Sequence, residues 1–183
     1  DTYGYGRYPG VLTSLEFERI LSASGPFGGH LIRPADKKEP HRIAWLQCVG
    51  SRDVKQHSYC SGVCCMYAIK QAVIAKEHAK EYDLDCAIFF MDMRTHGKEF
   101  EKYYWRARDE HGVRFIRSRV HSIEPVPGSD DVAIRYLDEK GKLHTEVFNM
   151  VVLSVGLETS QAALDLAKTL GVEVKPDTRF AQT

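Results

Sequence analysis

The stretch Ile43–Tyr82, IAWLQCVGSRDVKQHSYCSGVCCMYAIKQAVIAKEHAKEY, constrains the fold more than any other part of the chain. Arg42–Val49 is a mostly apolar run of strand length, the signature of a parallel strand buried on both faces. A polar loop follows. From Ser61 the spacing of Val63, Met66, Ile69 and Val73 gives a helix its apolar face, with Lys76, Glu77, Lys80 and Glu81 on the wet side. Strand, loop and helix in this order begin a βαβ unit, and the carboxyl end of such a strand is where an α/β fold holds a ligand. Four of the five cysteines, Cys48, Cys60, Cys64 and Cys65, fall at this passage.

The remaining pattern extends the same design. Leu84–Met91 is a second buried strand ending at Asp92, and Lys98–His111 a second helix with Phe100, Tyr103, Tyr104 and Ala107 as its inner stripe and Gly112 as its stop. Val113–Ile116 is a short third strand. Val120–Glu124, Asp131–Leu137 and Leu143–Phe148 alternate apolar and polar residues between turn sequences, which predicts an antiparallel meander. Met150–Val155 is one more buried strand, and Thr159–Leu170 an amphipathic helix stopped by Gly171. The fold class predicted is α/β: a Rossmann-like domain of the NAD(P)-binding type, a parallel sheet with an antiparallel three-stranded meander. Residues 1–40 read as a flanking connector with one short helix from Ser14, carrying Phe17, Ile20 and Leu21, then a charged linker at Pro34–Pro40; 41–156 read as the domain and 157–183 as a C-terminal helix and return segment. With no Met, basic region or apolar leader at its start, the chain reads as a piece of a longer polypeptide.

Charge and cysteine content exclude several classes. Twenty-five Lys and Arg balance twenty-five Asp and Glu, so no global field favours nucleic acid. The longest apolar runs fall far short of the ~20 residues of a membrane helix, which predicts no direct membrane span. An adjacent Cys64-Cys65 pair without a secretory leader is unlike a disulfide framework and points to metal or redox chemistry in a reducing, cytoplasmic setting.

A dinucleotide site needs G-x-G-x-x-G at the first strand-to-helix turn, so that the backbone can approach a pyrophosphate. Only Gly50 and Gly62 lie there, and a long loop replaces the tight turn. Asp92 has the position of a ribose-binding acid, but a strand-end Asp is commonly a turn former. The pattern Cys48-x11-Cys60-x3-Cys64-Cys65 instead lets four thiols converge at a helix N-terminus, the set a 4Fe-4S cluster requires. Other readings stay open. Four-cysteine zinc sites normally use C-x2-C knuckles, absent here; Cys60 and Cys64 could support thiol-disulfide chemistry; and the thiols could be inert filler, the reading given to the lone Cys86. His57, Arg52 and Lys55 in the loop could bond a cluster or offset its charge, and the basic loop Arg94–Lys98 could bind an anion or an acidic partner.

At this point a family resemblance becomes specific. YGYGRYPGVLTSLEFERILSASGP, IAWLQCVGSRD, YCSGVCCMYAIKQAVIAKEH and MDMRTHGKEFEKYYWRAR resemble the heterodisulfide reductase A-subunit family, over essentially the whole chain. The resemblance implies an iron-sulfur flavoprotein with a thioredoxin-reductase-like core, in which an FAD domain is interrupted by an NAD(P)-binding-type domain; this chain resembles the inserted domain with short flanks. It implies a 4Fe-4S cluster on Cys48, Cys60, Cys64 and Cys65, relaying electrons between flavin and partner redox subunits, with no residue acting as acid, base or nucleophile. FAD is implied for the full-length parent, whose glycine-rich FAD fingerprint this chain lacks. The partners implied are other heterodisulfide-reductase-type subunits and hydrogenase or ferredoxin-like carriers. The competing expectations are an NAD(P)H-binding domain of a pyridine-nucleotide-dependent oxidoreductase and a zinc-stabilised structural module.

Overall fold

In the computed structural model, which describes residues 3–175, 177–178 and 180, Arg42–Val49 is a strand with parallel neighbours on both sides. In chain order the elements are β1 (Val11–Thr13), α1 (Ser14–Leu21), β2 (Arg42–Val49), α2 (Cys64–His78), β3 (Asp85–Phe90), α3 (Phe100–Asp109), β4 (Arg114–Arg117), β5 (Ser122–Pro125), β6 (Val132–Leu137), β7 (Leu143–Phe148), β8 (Met150–Val155) and α4 (Gln161–Leu170). One sheet has the order β1-β8-β2-β3-β4 with every pairing parallel, and β5-β6-β7 form a separate antiparallel sheet. This is the predicted Rossmann-like architecture with its meander.

Alternation along β2 explains the layering. Ile43 and Trp45 face the helices, in a core with Phe17, Ala68, Ile69 and Ala72. Ala44 and Leu46 face the meander, in a second core with Phe89, Val132, Ile134 and Phe148. A strand buried on both faces leaves no polar position, which is why Ile43–Leu46 is wholly apolar. No helix among the described residues is long and apolar enough to cross a membrane.

Three local readings are corrected. The first forty residues hold more than a connecting helix: Val11–Thr13 pairs in parallel with Val151–Leu153 as an edge strand, and Phe17, Ile20 and Leu21 of α1 join the main core. The predicted Ile69 and Val73 are buried on the inner face of α2, but it is completed by Ala68, Gln71, Ala72 and Ala75, while Met66 and Ile74 are only partly buried and Val63 is exposed. Alanines let the helix lie close to the sheet, but a periodicity search gives them little weight. On α3 only Ala107 is buried; Tyr103 and Tyr104 pack partly, and Phe100 is exposed.

Candidate functional site

The chain reverses its winding between β2 and β8, so a crevice opens at their carboxyl ends, the place where open α/β sheets bind ligands. The β2–β8 register shifts between Leu46 and Val49. Within that irregularity Cys48 takes φ 60°, a left-handed conformation uncommon for a residue with a side chain. The bulge thus ends the ladder at the residue where the cysteine loop begins.

Residues 50–61 are folded back rather than extended. The Arg52 N–H donates to Tyr59 O at 3.0 Å, and the Asp53 N–H to His57 O at 2.9 Å. Ser51 Oγ and Ser61 Oγ bond at 3.0 Å, Ser61 Oγ accepts the Leu157 N–H at 2.9 Å, and Tyr59 OH donates to Leu157 O at 2.8 Å. Gly156 makes this seat possible: a Cβ there would lie 2.2 Å from both serine hydroxyl oxygens. The loop is pinned over the end of β8, in the corner that a phosphate-binding turn occupies in a nucleotide domain. A cavity of about 510 Å3 remains beside it, bounded among others by Tyr3, Cys48, His57, Arg119, Val155 and Glu158.

The four predicted thiols are set along this passage from β2 to α2. Cys64 and Cys65 open α2 and are buried, and Cys48 and Cys60 are partly exposed. The N-cap residue of α2, Val63, offers no side-chain acceptor, so the helix presents its first backbone N–H groups toward this corner. Cys64 Sγ points to Val155 O at 3.7 Å, Cys65 Sγ to Asp92 O at 3.8 Å, and the Gly62 N–H donates to Cys60 Sγ at 3.4 Å. Burial pushes the Cys48, Cys64 and Cys65 thiols up, Cys65 to about 11, and the charges of neighbouring cysteines push in the same direction. Mutual influence of this kind requires the sulfurs to share one neighbourhood. Among the described residues, however, no three His, Cys, Asp or Glu side chains stand in a ready-made arrangement around a single metal ion. Cys64 and Cys65 instead donate to backbone carbonyls at or just past strand ends, as protonated thiols do.

Donor chemistry and burial fit a group that carries its own cations. Thiols disfavoured as separate anions, as those of Cys48, Cys64 and Cys65 are, become good ligands once metal neutralises them. A cubane takes one thiolate per iron and spreads them over its corners, a wider placement than four ligands around one ion.

Other side chains surround the thiols, and of these Tyr67 carries no mark in the sequence pattern. Tyr67 OH donates to Val155 O at 2.5 Å beside Cys64. Arg52 pairs with Asp92 at 2.7 Å, and Arg94 and Arg117 approach the same carboxylate at 3.7 and 3.9 Å. The acid at the end of β3 therefore anchors the cysteine loop. His57 stacks on Tyr59 with ring centroids 5.2 Å apart and lies 3.8 Å from Glu158. Cys86 is fully buried in β3 with its thiol toward Ala72 O, apart from the other four. A Gly after a strand and a Ser pair flanking a loop are the only sequence signals that could have marked the seat.

No family model matches the chain. It is similar along its whole length to the iron-sulfur A subunit of the CoB–CoM heterodisulfide reductase of Methanocaldococcus jannaschii, at 44% identity over 185 residues, covering 28% of that protein. The corresponding iron-sulfur protein of Methanopyrus kandleri is 42% identical over 184 residues, again 100% of this chain and 28% of the relative. The chain thus spans less than a third of the length of these relatives. Among solved structures, thioredoxin reductase from T. acidophilum superposes with a TM-score of 0.53 at 14% identity, over 96% of this chain and 45% of that one. The Lactococcus lactis thioredoxin reductase gives 0.52 at 15% identity, over 95% and 44%. At such identities the likeness is one of fold.

Proposed function

From the premise that this chain belongs to the heterodisulfide reductase A-subunit family, as one segment of it, we propose that it is the electron-relay domain of a larger iron-sulfur flavoprotein. A bound 4Fe-4S cluster would supply one-electron transfer. Cys48, Cys60, Cys64 and Cys65 would hold it, the α2 N-terminus and loop N–H groups would bond its sulfurs, and the loop pinned by Ser51, Ser61 and Tyr59 would shield it from water. What supports this reading is the placement of Cys48 at the end of β2 and of Cys64 and Cys65 at the start of α2, with Cys60 in the folded loop between them, at the sheet's switch point. Loss of the glycine-rich turn, with the loop seated in its place, argues against NAD(P)H as the occupant.

The flanking segments fit the same role. Residues 1–40 and 157–183 would lead to a flavin domain of the parent, which would carry the FAD; no residue of α4 is buried, and Leu166 and Leu170 are exposed, as a surface covered by another domain would be. Electrons would pass to heterodisulfide-reductase-type subunits, hydrogenase or ferredoxin-like carriers, in the cytoplasm.

Anaerobic reconstitution with iron and sulfide tests the proposal. The expected result is four iron per chain with a broad visible absorption that is lost in Cys64→Ser. Colourless protein with one zinc per chain would overturn it, and tight NADH binding by the metal-free chain would favour the nucleotide reading.

A further inference from the structure

We propose that Arg52 is a positioning residue for the iron-sulfur group, clamping the cysteine loop shut and donating a hydrogen bond to one of the group's sulfur atoms. This rests on the cluster reading above.

Three independent features of Arg52 lead to the assignment. Its backbone sits at φ 54°, a conformation that side chains rarely adopt, and is held there by the bond from its N–H to Tyr59 O. Its Nη2 reaches across the crevice to Asp92 Oδ2 at 2.7 Å, joining the loop after β2 to the end of β3. Asp92 is also the residue whose carbonyl faces the Cys65 thiol, so the clamp closes beside that sulfur. Finally, Nη1 is buried without a hydrogen-bond partner among the described residues. A hidden guanidinium N–H with no acceptor is costly and uncommon, and marks a donor whose acceptor belongs to another state of the site.

The acceptors within reach are sulfurs. Cys48 opens the turn that Ser51 closes on its carbonyl at 3.2 Å, directly before Arg52. Four thiolates and the inorganic sulfides of a cluster together form an anion whose outer atoms accept hydrogen bonds, and Arg brings a planar, permanently charged donor. One N–H pair is fixed on Asp92 and the other left for sulfur, so the fork is oriented before anything binds. A donor aimed at cluster sulfur stabilises the more negative, reduced state and so raises the reduction potential.

The test compares the wild-type chain with Arg52→Gln and Arg52→Lys after the same anaerobic reconstitution. It measures iron and sulfide content, far-UV circular dichroism and the midpoint potential by spectroelectrochemical titration. Arg52→Gln is expected to hold the group at a more negative potential than wild type, with Arg52→Lys between the two. Should Arg52→Gln fold normally but lose its iron, partial retention in Arg52→Lys carries the same conclusion. Full loading of Arg52→Gln at the wild-type potential overturns the role of Arg52 while leaving the cluster reading intact, as does an Arg52→Lys variant indistinguishable from Arg52→Gln. A wild-type chain that takes up no iron or sulfide overturns both.

Discussion

At the scale of single residues, cysteine behaves here in two ways, and environment alone separates them. Cys86 is sealed among apolar side chains, and burial pushes its thiol up to about 12. Because an unfolded thiol ionises nearer ~8.5, the folded state retains its proton where the unfolded state has released it. Stability is therefore fully present below about pH 8.5 and is lost as pH rises toward about 12. In reducing, metal-free buffer the melting temperature is expected to fall between about pH 8.5 and about pH 10.5, and to fall less steeply in Cys86→Ala. Parallel curves for the two proteins would show that Cys86 has no part in the decline. Burial also raises the Cys48, Cys64 and Cys65 thiols, but these lie at the ends of a loop, where on the cluster reading metal would take the place of their protons. Their spacing was legible in the sequence because it is a property of order along the chain. The charge of Arg52 was legible too, but its pairing with Asp92 was not, nor were the roles of Ser51 and Gly156, because these come from groups tens of residues away.

At the scale of elements, α2 is fixed by one buried amide. Gln71 Oε1 accepts from Trp45 Nε1 at 3.1 Å, and Gln71 Nε2 donates to Ser14 O at 2.9 Å, so a single side chain joins β2, α2 and α1. Gln71→Leu would leave the buried indole N–H unsatisfied and the Ser14 carbonyl with its helical partner alone, at a cost of roughly 1–3 kcal/mol. Urea denaturation would measure it, and a change below the error of the extrapolation would mean that these groups find other partners. Long, strongly patterned elements were readable: β2, β7 and β8 run as expected, and α4 is capped by Ser160 and stopped by Gly171. A three-residue edge strand such as β1 carries no period to detect. Its existence depends on Val151–Leu153 offering a free edge, which is information about the fold rather than about residues 11–13.

At the scale of the whole molecule, the two sheets are tied together at the end opposite the cysteines. Arg42 of β2 and Arg114 of β4 both pair with Asp85 of β3 and with Glu146 of β7, and Tyr136 of β6 donates to Glu146 at 2.6 Å. Arginine and tyrosine contacts hold the Asp85 and Glu146 carboxyls below the usual range despite partial burial. Such depressed groups contribute stability above about pH 4 that is lost as pH falls through their folded values. Glu146→Gln is expected to cost about 1–2 kcal/mol at neutral pH, allowing for solvent screening of a half-exposed network, and progressively less below about pH 4. A pH-independent cost would assign the effect to packing instead.

The seat of the cysteine loop also sets an order of events in time. Ser61 and Tyr59 are fastened to Leu157, 96 and 98 residues later in the chain. During synthesis, Cys48, Cys60, Cys64 and Cys65 leave the ribosome long before the strand that completes their surroundings exists. Until β8 emerges and Gly156 admits the two serines, the thiols form a floppy and exposed set. On the cluster reading, iron delivered in that interval would meet no closed site, so assembly of the cluster would follow translation of Leu157. Any factor that guards the nascent thiols would have to act for about a hundred residues of elongation.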